Sequence, residues 1–171
     1  APYDLQVAQK RRMLQEVLRR IGKQSESPID PVVPSHLPLG YRFAVRFAVG
    51  KNRLGKLLGF YEAGEQRICP VEHCLLAVED MQSIPKGVEE VLAGCHLPQG
   101  SITNVEIRWS GHEAGGQVIL RGFAKGATQM GVVLDRLSQV PLVRGVVYEW
   151  LDSGDGSRRK RSSRALPLVR G

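Results

Sequence analysis

The chain has 171 residues, 42% of them hydrophobic and 24% charged, an ordinary globular composition that excludes intrinsic disorder as the state of most of it. No apolar run approaches the roughly 18 residues of a membrane span, and the first residues form a polar helical pattern rather than a signal peptide, so the expected setting is the cytoplasm. A formal net charge of +7 and three cysteines without a disulfide framework point to a polyanionic partner, bound by counterion release, and to a reducing compartment.

Val7, Leu14, Val17, Leu18 and Ile21 recur at helical spacing and predict an amphipathic helix over residues 3–21. Pro2 suits its start and Gly22 its end, and Lys10, Arg11, Arg12, Arg19 and Arg20 lie on its other faces. Residues 24–38 carry Pro28, Pro31, Pro34 and Pro38 and read as an extended connection wrapping a surface. A strand follows over 42–49, with Phe43, Val45 and Phe47 on one face and Arg42, Ala44 and Arg46 on the other. A basic turn at 50–56, a strand at 57–62 and a further strand at 67–71 after Gly64 complete a three-stranded antiparallel meander.

Residues 75–93 are predicted helical, with Pro85 either kinking that helix or starting a second segment, and Gly94 as its stop. Val105, Ile107 and Trp109 alternate with Glu106 and Arg108, giving a strand over 102–109 that turns at Gly115-Gly116 and returns over 117–123. Met130, Val133, Leu134 and Leu137 predict a helix over 127–137, closed by Pro141 before a strand at 143–150. Residues 152–164, with Arg158-Arg159-Lys160-Arg161, read as a flexible basic hairpin in preference to a nucleic-acid-binding tract, because apolar residues resume at Ala165. Hairpins separated by helices define an α+β domain, an antiparallel sheet with helices on one face; a doubly wound parallel fold fits poorly. The expected organisation is a leading helix at 1–23, a proline-rich connection at 24–40 and a central domain at 41–171.

Three pieces stand in order: Gly40-Tyr41-Arg42-Phe43-Ala44-Val45-Arg46-Phe47, Gly59-Phe60-Tyr61-Glu62, and Ile68-Cys69-Pro70-Val71-Glu72-His73-Cys74. Together they resemble the middle segment of the S-adenosylmethionine-dependent RNA uracil-C5 methyltransferases, which make 5-methyluridine in ribosomal and transfer RNA. Residues 2–10 resemble the stretch that follows a Cys-Gly-Gly-Cys pair in those enzymes. The motifs cover residues 2–76, whereas residues 101–171 match only in pattern. Phe43 and Ala44 stand where the family commonly has Asn or Arg and then Lys or Arg, and Leu75 replaces a proline after Cys74.

The resemblance implies that Cys74 is the last of four iron-sulfur ligands, its three partners expected just before Ala1; four thiolates are the usual requirement for such a cluster. It implies a central, RNA-contacting segment, without the catalytic domain and the upstream cluster cysteines. S-adenosylmethionine and the cluster are expected of the parent protein and no cofactor of this chain. The family's Asp-Pro-Pro-Arg and Ser-Cys-Asn type segments are absent from the sequence, and with them the cofactor pocket and nucleophile, so the chain is expected to be inactive alone. The cluster-type Cys74 makes ribosomal RNA the expected target, since transfer-RNA members commonly lack the cluster. The missing catalytic domain is the other expected partner, and no membrane is involved.

Within the chain, Arg42 and Arg46 are the candidate phosphate contacts, with Lys51, Arg53 and Lys56 in the adjoining turn, and Phe60 or Tyr61 as a base-stacking aromatic. Cys69 and Cys95 read as small buried hydrophobes. A zinc site is a weak reading, because no two-residue gap links the cysteines and the adjacent His73 and Cys74 cannot easily face one metal. The competing function is a basic protein-interaction or assembly domain without RNA affinity.

Overall fold

A computed structural model describes residues 2–24, 28–52, 55–123, 129–151 and 161–165. The chain divides into two compact units, Ala1–Leu39 and Gly40–Gly171. In the first, helix α1 (Tyr3–Arg20) follows Pro2 as expected and buries none of its residues. The proline-rich connection runs back along the helix: Arg11 Nη2 donates to the Ile29 carbonyl at 2.8 Å, and the Ser35 N–H donates to the Tyr3 hydroxyl at 2.6 Å. Proline cannot extend the helix, so this segment finds its partners in helix side chains.

The second unit contains β1 (Ala44–Asn52), β2 (Gly55–Tyr61), β3 (Ile68–Pro70), a 3-10 turn (Glu79–Met81), α2 (Ile84–Ala93), β4 (Asn104–Ser110), β5 (Gly115–Phe123), α3 (Met130–Ser138), β6 (Val143–Leu151) and β7 (Arg161–Ala165). The strands form one sheet in the order β3-β2-β1-β4-β5-β6-β7. Neighbouring pairs are antiparallel except β5 with β6, which run parallel across the connection carrying α3. The α+β class and the meander are as the sequence implies; β7 pairs antiparallel with β6, and the flexible basic hairpin expected over 152–164 falls mostly on residues 152–160, which lie outside the described residues.

Three local expectations are corrected. Residues 75–93 are not one helix: Ala77 forms a parallel bridge with Arg42, whose N–H donates to Leu76 and whose carbonyl accepts from Val78. That pairing holds 76–78 extended, so α2 starts only at Ile84. Of the two expectations for Pro85, it is the start of a segment that holds, with Pro85 in the first turn, where its missing N–H costs nothing, and Gly94 at the stop as expected. Gly115 and Gly116 are strand residues, the turn being 111–114. A Cβ on Gly115 would lie 2.1 Å from Arg144 Cγ and one on Gly116 2.5 Å from Ile84 Cδ1, so close packing, not turning, requires glycine there. The basic turn at 50–56 is mostly strand, with pairing continuing to Asn52 and Gly55.

Alternation along the strands sends Val45, Phe47, Leu58, Val105, Ile107, Val118, Leu120, Val146 and Tyr148 to one face, where they join Ile84, Val88 and Leu92 of α2 and Met130, Val133, Leu134 and Leu137 of α3 in a single core. Among the described residues, no helix is long and apolar enough to cross a membrane.

Candidate nucleic-acid interface

The same alternation exposes the opposite residues on a sheet face that carries neither α2 nor α3. Its centre is Glu106 on β4, directly opposite Arg46 of β1 and two residues before Arg108. Glu106 is 5% exposed. Its Oε2 accepts from Arg46 Nε at 3.0 Å and Nη2 at 2.7 Å and from Arg121 Nη1 at 2.6 Å, and its Oε1 accepts from Arg108 Nε at 2.6 Å. Arg121 on β5 also donates from Nε to Glu149 of β6 at 2.7 Å. Burial alone would raise the Glu106 pKa, but hydrogen bonds from Arg46, Arg121 and Arg108 outweigh it and hold the carboxyl at about 2. Three guanidiniums against two carboxylates leave the network positive. Ala48 and Ile119 are buried on this face although outside the main core, as happens where long charged side chains lay their stems across a sheet.

The residues singled out from the sequence are distributed over several places. Arg46 belongs to this network. Arg42 precedes β1 instead of lying within it, and its guanidinium carbon stands 6.0 Å from the centre of the Tyr41 ring. Lys51 is exposed on the helix side, at the rim of a groove of about 510 Å³ shared with Leu92, His96 and Ile102. It is paired in register with Lys56. Arg53 lies outside the described residues. Phe60 stacks on Phe47 with ring centres 5.4 Å apart, which puts it on the helix side; alternation puts the exposed Tyr61 on the face of Arg46. The strand pattern already separated Glu106 and Arg108 from Val105, Ile107 and Trp109. What it lacked was the register that brings Arg46 and Arg121 to the same carboxylate.

Cys74 is buried in the main core. Gln82 clamps its backbone, accepting from the Cys74 N–H at 3.1 Å through Oε1 and donating from Nε2 to the Cys74 carbonyl at 2.8 Å and the Ala77 carbonyl at 3.2 Å. Cys69, expected to be buried, is exposed, because it lies on the three-residue edge strand β3. Cys95 is half-buried, its Sγ 3.8 Å from Arg136 Nη1. Among the described residues no group of three or more His, Cys, Asp or Glu side chains is arranged to hold a metal ion. The described cysteines therefore do not fit a four-thiolate cluster by themselves.

Fold and site together define an α+β domain with one sheet face covered by helices and the other open and arginine-rich. No protein-family model matches the chain. It is 37% identical over 90 residues, 53% of its length, to an uncharacterized RNA methyltransferase of Aquifex aeolicus, and 30% identical over 89 residues, 52% of its length, to one of Halalkalibacterium halodurans. It is 34% identical over 109 residues, 62% of its length, to the 23S rRNA (uracil(1939)-C(5))-methyltransferase RlmD of Pseudomonas fluorescens. The chain is similar to these RNA methyltransferases over somewhat more than half of its length, and the resemblance read from its motifs is borne out. It spans 20%, 19% and 24% of the lengths of these three relatives.

Proposed function

We propose that this chain is the central RNA-recognition segment of an S-adenosylmethionine-dependent RNA uracil-C5 methyltransferase that acts on ribosomal RNA in the cytoplasm. The likeness to methyltransferases named for RNA and, in one case, for a ribosomal uridine supports the reading. The observation that carries it is the open sheet face, with Arg46, Arg108 and Arg121 gathered around one buried carboxylate. The segment positions RNA; the methyl donor, the nucleophile and any iron-sulfur cluster completed through Cys74 belong to the whole protein. In this reading the leading helix at 1–23 and the connection at 24–40 precede a single RNA-contacting domain at 41–171.

Fluorescence anisotropy with a labelled single-stranded ribosomal RNA fragment tests it. Binding is expected in the micromolar range, as for nonspecific backbone contacts, and is expected to weaken steeply with added salt. Arg42→Ala and Arg46→Ala are each expected to lower affinity several-fold. Affinity that ignores salt overturns the proposal.

A second reading, a basic protein-interaction or assembly domain, is favoured by the apolar residues that α1 exposes, Leu5, Met13, Leu14 and Val17, together with Ile21 beyond its end. A tight symmetric dimer in sedimentation, with no RNA affinity, selects it.

A further inference from the structure

We propose that Glu106 is a positioning residue that holds Arg46 and Arg108 as a fixed two-pronged clamp for consecutive phosphates of an RNA strand on the open sheet face. The inference rests on the RNA-recognition reading and names the atoms through which that face would act. Arg121 is spent inward: its side chain is 22% exposed and it divides its donors between Glu106 and Glu149. Arg46 and Arg108 differ, with side chains 59% and 54% exposed. Among the described residues Arg108 uses only Nε, on Glu106, which leaves both of its terminal nitrogens available, and Arg46 uses Nε and Nη2, which leaves Nη1. A guanidinium so anchored presents a planar fork matched to a phosphate, and the rotamer freedom that a solvated arginine loses on binding is already lost.

The sheet fixes the separation of the two prongs. Arg46 lies directly across from Glu106 and Arg108 lies across from Ala44, a side chain too small to intervene. The chemistry of the face favours a polyanion over a protein surface. Of its apolar residues Ala48 and Ile119 are already buried, so its centre offers charge outward, flanked by the exposed rings of Tyr61 and, at the end of β5 beyond Arg121, Phe123.

The decisive variant is Glu106→Gln, because the two ways of binding RNA predict opposite signs. If charge alone acts, removing a carboxylate raises the net charge by one and tightens binding. With the clamp, the arginines lose their anchor and binding weakens. Anisotropy of the full chain with a fluorescein-labelled 12-nucleotide oligouridylate, across a salt series, is expected to show a three- to tenfold loss for Glu106→Gln. Arg108→Ala is expected to lose about tenfold and to reduce the steepness of log K against log salt by about 0.7, one phosphate contact on a single strand. Arg108→Lys, an exposed substitution that keeps charge and fold, is expected to lose several-fold because it removes the fork. Binding by Glu106→Gln as tight as or tighter than wild type, or full affinity in Arg108→Lys, overturns the clamp while leaving RNA recognition standing. An RNA affinity untouched in the Arg46→Ala, Arg108→Ala double variant overturns it too and leaves the face to a protein partner. Failure of the wild-type chain to bind the oligonucleotide at low salt overturns both this inference and the reading beneath it.

Discussion

Glu106 illustrates how one residue ties stability to the site. Its carboxyl is held at about 2, below its ordinary 4.5, because three arginines more than offset its burial. A depressed folded-state value means that the ionised form stabilises the fold; that contribution is complete above pH 4.5 and disappears as the pH falls toward 2. It amounts to an order of magnitude of about 3 kcal/mol. Urea melts from pH 5 to pH 2 are expected to lose stability through this window, and Glu106→Gln is expected to flatten that loss; an unchanged acid profile in the variant contradicts the assignment. Tyr148 provides a second test. Its buried hydroxyl reaches the carbonyls of Ser101 at 3.0 Å and Phe123 at 2.9 Å, sharing one proton between the loop before β4 and the end of β5. Tyr148→Phe removes the donor and nothing else, so a loss of about 1 kcal/mol is expected in thermal or denaturant unfolding.

The elements show where local pattern suffices and where it fails. The two hairpins and α3 were legible because alternation and helical spacing each repeat over several residues with breakers at the ends. Residues 75–93 were not, because their apolar spacing suits a helix while Ala77 is recruited as a strand-like partner of Arg42 and Gln82 pins Cys74. Neither the distant partner Arg42 nor the side-chain clamp of Gln82, eight residues from Cys74, leaves a trace in the apolar pattern. Edge strand β3 depends on a single glycine: a Cβ at Gly59 would lie 2.1 Å from the Cys69 carbonyl oxygen. Gly59→Ala is therefore expected to detach β3, speeding amide exchange at Glu62 and Val71, whose N–H groups donate to the Arg67 and Leu58 carbonyls, and costing about 2 kcal/mol or more, as a forced backbone shift does. Unchanged exchange there would show that the strand accommodates the methyl group.

At the scale of the molecule, the buried apolar side chains come from Val45 to Tyr148, while α1 buries none. Hydrogen exchange should follow that division, with amides of β4 and β5 opening only in global unfolding and those of α1 exchanging orders of magnitude faster. Equal protection in α1 would contradict it. By itself the sequence determined the class of fold, the meander, the basic character and the likeness to RNA uracil-C5 methyltransferases, because each is written in periodicity, charge or short contiguous motifs. It also marked Arg46 as a candidate. Only the tertiary structure decided which cations act together: Arg46, Arg108 and Arg121 lie on three strands and meet at one carboxylate through antiparallel register, while Lys51 and Phe60 fall to the opposite face. Register and face depend on how strands from distant parts of the chain pair, and a shift of one residue would exchange the core for the site.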